Sequence, residues 1–270
     1  MPQNTPTTLK FALLAALLVG LVYANCLDNL PTNWDDPAIF SNPVFHGLNI
    51  PNLRQALSFR AASTFQPLRD ISYMIDFSIW HTPQGLLLGL HLHNLLLYVA
   101  LVIACFLFLR LLCKAFGLDD DRALFLAGVS ALIYAAHPVH VESVAWLYAR
   151  KEPLLGLFTF LSLWAFLKAR TGQRHTFYYY LLSALALILA ILSKPTAVVL
   201  PGVILLLEIM LRRYKPVADR LREAGLVLVG KTTMPDFGML SSGQSSFHGV
   251  TRNPWQPSRN PGGSSSGAGA

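Results

Sequence analysis

Charged residues are scarce in this sequence. Only 13% of the 270 residues are Asp, Glu, Lys or Arg, whereas 53% are hydrophobic. Soluble globular domains usually contain about 25% charged residues. The deficit and the long apolar runs argue against an ordinary soluble domain and predict an all-α polytopic membrane protein in a lipid bilayer. Membrane topology then explains the net charge of +7, so no nucleic-acid partner is expected.

Cysteine is also rare, and no glycine-rich phosphate-binding motif occurs in the sequence. Cys26, Cys105 and Cys113 lack the spacing of metal ligands, and two of them lie in one apolar run. A disulfide framework is therefore not expected.

The apolar runs predict about six transmembrane helices. They cover residues 9–27, 86–112, 123–137, 153–167, 177–193 and 196–211. The basic residues between them fall on one side of the membrane if the N-terminus is cytoplasmic. This orientation predicts a bacterial inner-membrane protein, with the ER membrane as the alternative.

The first outer loop, residues 28–85, is too long for a simple connection. Apolar residues at helical spacing predict short helices over 52–59 and 68–80. These helices either lie in the membrane interface or form a small subdomain with its own core.

The composition changes abruptly after residue 230. Residues 231–270 are rich in Gly, Ser and Pro, which predicts a disordered tail beside a membrane domain over 1–230. A truncated or frame-shifted gene product would show the same abrupt change.

Two adjacent carboxylates, Asp35 and Asp36, follow the first predicted span. Two like charges side by side raise the pKa of one of them, which suits a general base near a hydroxyl group. The alternative is a local role, with Asp at the start of a helix and Pro37 in its first turn.

A second polar stretch contains His137, His140 and Glu142, and we expect it to dip into a protein-lined cavity opposite the aspartates. Two histidines and a glutamate at this spacing are also the donor set of a divalent metal site. The alternative is that His137 ends a helix and His140 packs among polar groups.

Four basic residues lie on the predicted outer side, where few positive charges are expected. They are Arg69, Arg150, Lys151 and Lys194. They indicate recognition of an anion such as a lipid phosphate. The alternatives are interfacial anchoring of the lysines and Arg150, and an ion pair of Arg69 with Asp70 or Asp76.

Several of these motifs, in this order, resemble the transmembrane and tetratricopeptide-repeat O-mannosyltransferase family, and in particular its bacterial relatives among the GT-C membrane glycosyltransferases. The resemblance covers about residues 10–213. It is carried by Asn33-Trp-Asp-Asp36, Gln66-Pro-Leu-Arg69, Gly89-Leu-His-Leu-His-Asn94, Ala136-His-Pro-Val-His-Val-Glu-Ser-Val-Ala-Trp146, Arg150-Lys-Glu152 and Leu192-Ser-Lys-Pro195.

The resemblance implies a sugar, mannose in the first instance, transferred from a polyprenyl-phosphate donor to a Ser or Thr hydroxyl of an acceptor protein. It implies that Asp35 or Asp36 is the base, while Arg69, His137, His140, Glu142, Arg150, Lys151 and Lys194 line the donor-phosphate cavity. The family usually has more than six spans, followed by tetratricopeptide repeats. None is visible here, so the chain corresponds to an N-terminal portion.

Two other functions stay open at this stage. One is a non-catalytic membrane scaffold or lipid-carrier-binding protein, and the other is a small-solute transporter. Transporters tend to place polar residues near the middle of a span and to show internal repeats, whereas the polar residues here cluster on one outer face.

Overall fold

The structure is a computed structural model that describes residues 5–58, 65–171 and 175–213, together with 225, 242–246 and 249–262. The chain forms two compact units, Met1–Tyr214 and Lys215–Ala270. The division after Tyr214 comes before the change in composition at residue 230. Residues 215–230 still carry a mixture of charged and apolar residues.

Ten α-helices account for most of the described part of the first unit. They are α1 (Thr5–Tyr23), α2 (Asp36–Ser41), α3 (Ile50–Ala56), α4 (Pro67–Ile79), α5 (Pro83–Ala115), α6 (Asp120–Ala136), α7 (Val141–Ala145), α8 (Lys151–Arg170), α9 (Thr176–Ser193) and α10 (Leu200–Arg213). Short 3₁₀ segments extend α1, link α6 to α8 and precede α10.

Helices α1, α5 and α6 pack closely because α6 presents small residues to its neighbours. Every fourth residue of α6 from Ala123 to Ala135 is alanine, and all four alanines are buried. On the other helices larger rings fill the space, and Phe11 of α1 stacks on Phe106 of α5 with 3.7 Å between ring centroids.

Helices α8 and α9 are joined by a reciprocal pair of hydrogen bonds. The hydroxyl of Ser162 donates to the carbonyl of Ser183 over 3.0 Å, and the hydroxyl of Ser183 donates to the carbonyl of Ser162 over 2.9 Å. Both serines are buried, so each hydroxyl has an acceptor in a region without water. Below them Leu163 and Leu167 pack against Phe108 of α5 and Leu207 of α10.

The segment between α1 and α5 folds over one end of the long helices. Its core contains Ile39, Phe45, Tyr73 and Met74, packed against Leu147 beyond α7. In α4 the buried face is largely polar, while two of the residues that predicted an apolar face, Ile75 and Ile79, are 37% and 59% exposed. Helix α4 therefore turns polar groups toward the protein.

Among the described residues, five helices are long and apolar enough to cross a membrane. They are Leu9–Asp28, Pro83–Ala115, Leu147–Arg170, Thr176–Ser193 and Pro195–Arg212, where the first, third and fifth include an adjoining 3₁₀ segment. A sixth span results if Asp120–Ala136 and Pro138–Ala145, which meet at a bend of 52°, are taken together.

In the second unit, strands β1 (Gln244–Ser245) and β2 (Gly249–Val250) form a short antiparallel pair. The following loop is closed by the amide of Asn253, which donates to the carbonyl of Arg259 over 2.9 Å. Trp255 in this loop is 94% exposed. About half of the residues predicted to be disordered, 231–241, 247–248 and 263–270, lie outside those described.

The packing of α5 against Trp80 gives a first test. A methyl group added at Gly89 would overlap the Trp80 indole, whereas one added at Gly128 of α6 meets nothing within 4 Å. Gly89→Ala should lower the free energy of unfolding by about 1–3 kcal/mol. Gly128→Ala should leave it unchanged or raise it by up to about 1 kcal/mol. Thermal unfolding in detergent measures both, and equal effects of the two variants would contradict the described packing.

Candidate functional site

Arg150 lies at the centre of the polar region, with no solvent exposure. Its Nε donates to Asn94 Oδ1 over 2.6 Å, and one terminal nitrogen donates to the carbonyl of Leu90 over 2.8 Å. The other terminal nitrogen forms a short ion pair with Asp76. The guanidinium also lies over the Tyr73 ring, 4.6 Å from its centroid. All three nitrogens are thus used within the protein.

The carboxylate of Asp76 joins three helices at this point. One oxygen pairs with Arg150 of the 3₁₀ segment before α8, and the other lies 2.8 Å from Nδ1 of His93 on α5. Only 4% of the Asp76 side chain is exposed. A buried charge is tolerated when it is paired and hydrogen-bonded, as this carboxylate is. Burial also raises the pKa of the neighbouring Tyr73 hydroxyl, so Tyr73 is a hydrogen-bond donor, to the carbonyl of Leu147 over 2.8 Å.

The two adjacent aspartates have different environments. Asp36 is 1% exposed and accepts hydrogen bonds from the Thr32 amide over 2.8 Å, the Thr32 hydroxyl over 3.0 Å and the Tyr148 amide over 3.0 Å. Asp35 is exposed and occupies the N-cap position of α2 without a side-chain cap. The predicted approach of the two polar stretches is therefore present, and Asp36 is the residue that connects them.

Lys151, near the exposed Asp35, lies among several charged side chains. Lys151 is within electrostatic range of Asp35, Arg69, Glu152 and Lys194. Lys194 donates to Glu152 over 2.7 Å, and Arg69 forms an ion pair with Asp70 at 2.7 Å. Of the basic residues predicted from the sequence, Lys151 and Lys194 are thus partly exposed, whereas Arg69 and Arg150 are buried.

Burial influences the pKa of both members of the Arg69–Asp70 ion pair. Burial opposes the charge of Arg69, but the Asp70 carboxylate and the nearby Tyr73 and Tyr148 raise the pKa of the guanidinium above its ordinary value. Burial raises the pKa of the Asp70 carboxyl, and Arg69 offsets this only in part. Of the two ion pairs expected for Arg69, the structure contains the one with Asp70, because Asp76 pairs with Arg150 instead.

His137, His140 and Glu142 do not form a metal centre in the structure. The ring of His140 packs on Tyr134 at 4.2 Å, and Nδ1 of His137 accepts a hydrogen bond from the Val139 amide over 3.2 Å. Among the described residues, no group of three or more His, Cys, Asp or Glu side chains is arranged to hold a metal ion.

Two cavities open beside these residues. The larger, of about 430 Å³, is lined by Thr32, Asn33, Trp34, Glu142 and Trp146, and the indole rings of Trp34 and Trp146 meet edge to face at 6.5 Å. The smaller, of about 180 Å³, is lined by residues that include Gln66, Arg69, Asp70 and Tyr148. Within the described ranges, Gln66 Oε1 and Trp146 Nε1 are buried atoms with no hydrogen-bond partner. Both residues with these unpaired atoms line the cavities, Gln66 the smaller and Trp146 the larger.

Sequence reasoning did not assign Asp76 and His93 to this site. Asp76 was considered only as a partner of Arg69, and His93 only as part of the Gly89–Asn94 motif. The sequence contains one signal for Asp76. Arg69, Ser72 and Asp76 recur at intervals of three or four, so they share one side of α4.

The family match lies in the second unit. The amidase family matches residues 215–270. A glutamyl-tRNA(Gln) amidotransferase subunit from Symbiobacterium thermophilum is 59% identical over 54 residues, which are 20% of this chain and 11% of that protein. The relative from Thermobifida fusca is 56% identical over the same length and shares. The one from Sulfurisphaera tokodaii is 47% identical over 66 residues, 23% of this chain and 14% of the relative.

The chain spans only about a tenth of the length of the curated relatives that it matches. No solved structure matches the chain. The similarity therefore identifies a family for one segment, not for the whole polypeptide.

These matches correct the function expected from the sequence. The similarity found is to amidases and amidotransferase subunits, so membership of the O-mannosyltransferase family was a wrong prediction. The glycosyltransferase activity and the polyprenyl-phosphate sugar and acceptor protein as partners are contradicted with it. The motif resemblance failed because it covered 10–213 and made no use of the residues that match.

The different environments of the two aspartates predict different effects on stability. Asp36→Ala removes the acceptor of two backbone amides and should lower the free energy of unfolding by about 2–4 kcal/mol. Asp35→Ala, at an exposed position, should change it by less than about 0.5 kcal/mol. Thermal unfolding of the two variants in the same detergent tests this, and a larger loss for Asp35→Ala would overturn the assignment.

Proposed function

We propose that residues 215–270 contribute to an amidase or amidotransferase catalytic unit. The observation that carries the proposal is the identity of 59% over 54 residues with the glutamyl-tRNA(Gln) amidotransferase protein of Symbiobacterium thermophilum. Identity at this level over a continuous segment supports the same local backbone and the same local role. The substrate class is accordingly an amide, as donor of nitrogen or as the bond that is hydrolysed.

The remainder of an amidase fold is needed for this activity. The matched segment corresponds to 11% of the relative, and catalytic groups must be held in place by rigid surrounding structure. The activity is therefore proposed for the segment as part of a larger catalytic unit. A tRNA-linked acyl group is the acceptor suggested by the relatives' name.

We further propose that the first unit is embedded in a membrane, with the N-terminus on the cytoplasmic side. Large apolar side chains are exposed along several long helices, as lipid contact requires. Examples are Leu13, Leu17 and Leu21 on α1, Phe125 and Ile133 on α6, Leu181, Leu185 and Ile188 on α9, and Leu205 and Leu206 on α10. Basic residues such as Arg110, Lys114, Arg170 and Arg212 lie near those helix ends that would share the cytoplasmic side.

Replacing a segment tests the amidase proposal. In the Symbiobacterium thermophilum relative, the 54 matched residues are exchanged for those of this chain, and transfer of an amide to glutamyl-tRNA(Gln) is measured. The chimera should keep its rate within about tenfold, a difference of about 1.4 kcal/mol in activation free energy. The same exchange with the Thermobifida fusca segment is the matched control. A folded but inactive chimera beside an active control would contradict the proposal.

Alkaline carbonate extraction tests membrane embedding. The chain should stay with the membrane fraction. Leu185→Arg, at a 51% exposed position in the middle of α9, should reduce membrane retention, because a central arginine costs about 2.5–3.5 kcal/mol on insertion. Leu185→Ala is the matched control and should behave like the unmodified chain. Full release of the unmodified chain into the soluble fraction would refute embedding.

A further inference from the structure

Three basic residues gather at the end of the long helices that lies away from the Arg150 region. Arg110 and Lys114 are on the last turns of α5, and Lys168 is on the last turn of α8. Lys168 is within electrostatic range of the other two. We call Arg110, Lys114 and Lys168 the inner basic cluster.

Lys168 is the unusual member of the inner basic cluster. The residue is only 6% exposed, yet no carboxylate pairs with its ammonium group among residues 5–58, 65–171 and 175–213. Its closest aromatic contact is Trp164, whose ring centroid is 5.9 Å from Nζ. An enclosed charge without a counter-ion is costly, so this position favours a negative group from outside the described chain.

The surrounding acidic residues do not balance the cluster. Asp120 pairs with Lys114 at 2.7 Å and with Arg110 at 3.8 Å, and its own side chain is 61% exposed. Of the other carboxylates at this end, Glu208 pairs with both Arg170 and Arg212 at 2.6 Å, and Asp119 pairs with Arg122 at 3.3 Å. Arg110 and Lys114 thus share one carboxylate, and Lys168 has no carboxylate partner among the described residues.

The apolar surroundings of Lys168 identify the environment of the missing anion. Leu167 and Ala169 on either side are buried, and Phe108 and Leu163 pack in one apolar cluster with Leu167. A strongly hydrated anion gains little binding energy in such an apolar environment. A phosphate attached to acyl chains is held at this depth by the bilayer itself, where basic clusters between helices bind acidic head groups.

We propose that the inner basic cluster binds the phosphate group of an acidic phospholipid in the cytoplasmic leaflet. The inference rests on the proposed membrane embedding of the first unit. Lys168 supplies the enclosed charge, and Arg110 and Lys114 supply further donors from the adjacent helix. Lys and Arg are the usual phosphate ligands in proteins.

Binding is tested with the full chain in neutral detergent. Short-chain phosphatidylglycerol is titrated and the bound lipids are counted by native mass spectrometry, with phosphatidylcholine and inorganic phosphate as separate arms. Phosphatidylglycerol should bind in preference to both. Lys168→Gln should weaken its binding about fivefold, the contribution of one basic side chain near an anionic surface. Equal binding of inorganic phosphate would overturn the assignment to a lipid.

Two further variants separate charge from folding. Lys168→Arg keeps the positive charge and should retain the affinity for phosphatidylglycerol. Arg122→Gln removes an exposed basic residue that pairs with Asp119 at the same end, and it should leave the affinity unchanged. If Lys168→Gln binds phosphatidylglycerol as tightly as the unmodified chain, or if Arg122→Gln weakens binding as much, the proposal is refuted.

The titration does not depend on the outcome of carbonate extraction, because it is done in detergent solution. A chain that is released by carbonate but binds phosphatidylglycerol through Lys168 contradicts embedding and keeps the anion site. A chain that stays in the membrane and binds phosphatidylglycerol without regard to Lys168 contradicts the anion site alone.

Discussion

The burial of Arg150 constrains the whole first unit. A guanidinium without solvent contact must have protein acceptors for its donors, and these come from Asn94 and Leu90 on α5 and from Asp76 on α4. Removing one partner of a buried ion pair costs about 3–5 kcal/mol. The segment between α1 and α5 is therefore held in place by a few polar contacts as much as by its small apolar core. This also explains why α4 turns its polar face inward.

Asp36 extends the same principle to the start of the segment. It fixes Thr32 just before α2 and the backbone of Tyr148, two residues before Arg150. The two buried charges therefore position neighbouring parts of the 147–150 turn. The exposed groups around Asp35 and Lys151 and the cavity beside Trp34 and Trp146 lie on this framework. A ligand would meet a surface whose support is already rigid.

The helices of the first unit were predictable from the sequence, because apolar runs and helix-breaking prolines are local signals. Helix α5 extends three residues beyond the predicted 86–112 at each end, and α4 is displaced by one residue from 68–80. Whether each polar side chain is paired in the interior or exposed was not predictable in the same way. Arg150 and Asp76 are 74 residues apart, and neither residue alone reveals whether it is paired in the interior or exposed at a membrane edge.

The difference between Asp35 and Asp36 depends on tertiary contacts too, since the Tyr148 amide is 112 residues away. The function was misjudged for a different reason. The motifs of the first unit were assigned to a family of transferases, while the amidase family matches residues 215–270, of which 231–270 were interpreted as a disordered tail. Glycine, serine and proline dominate that segment, and composition alone does not separate a disordered tail from the turns and loops of an enzyme.

The most direct test of this account is hydrogen exchange across the first unit in the Arg150→Met variant. The account predicts that amides of α4 and of the 147–150 turn exchange about a hundredfold faster or more than in the unmodified chain, because Asp76 is left buried without its partner. Amides of α10, which makes no contact with Arg150, should keep their rates. Unchanged exchange in α4, or an equal increase in α4 and α10, would contradict the claim that this ion pair holds the outer segment in place.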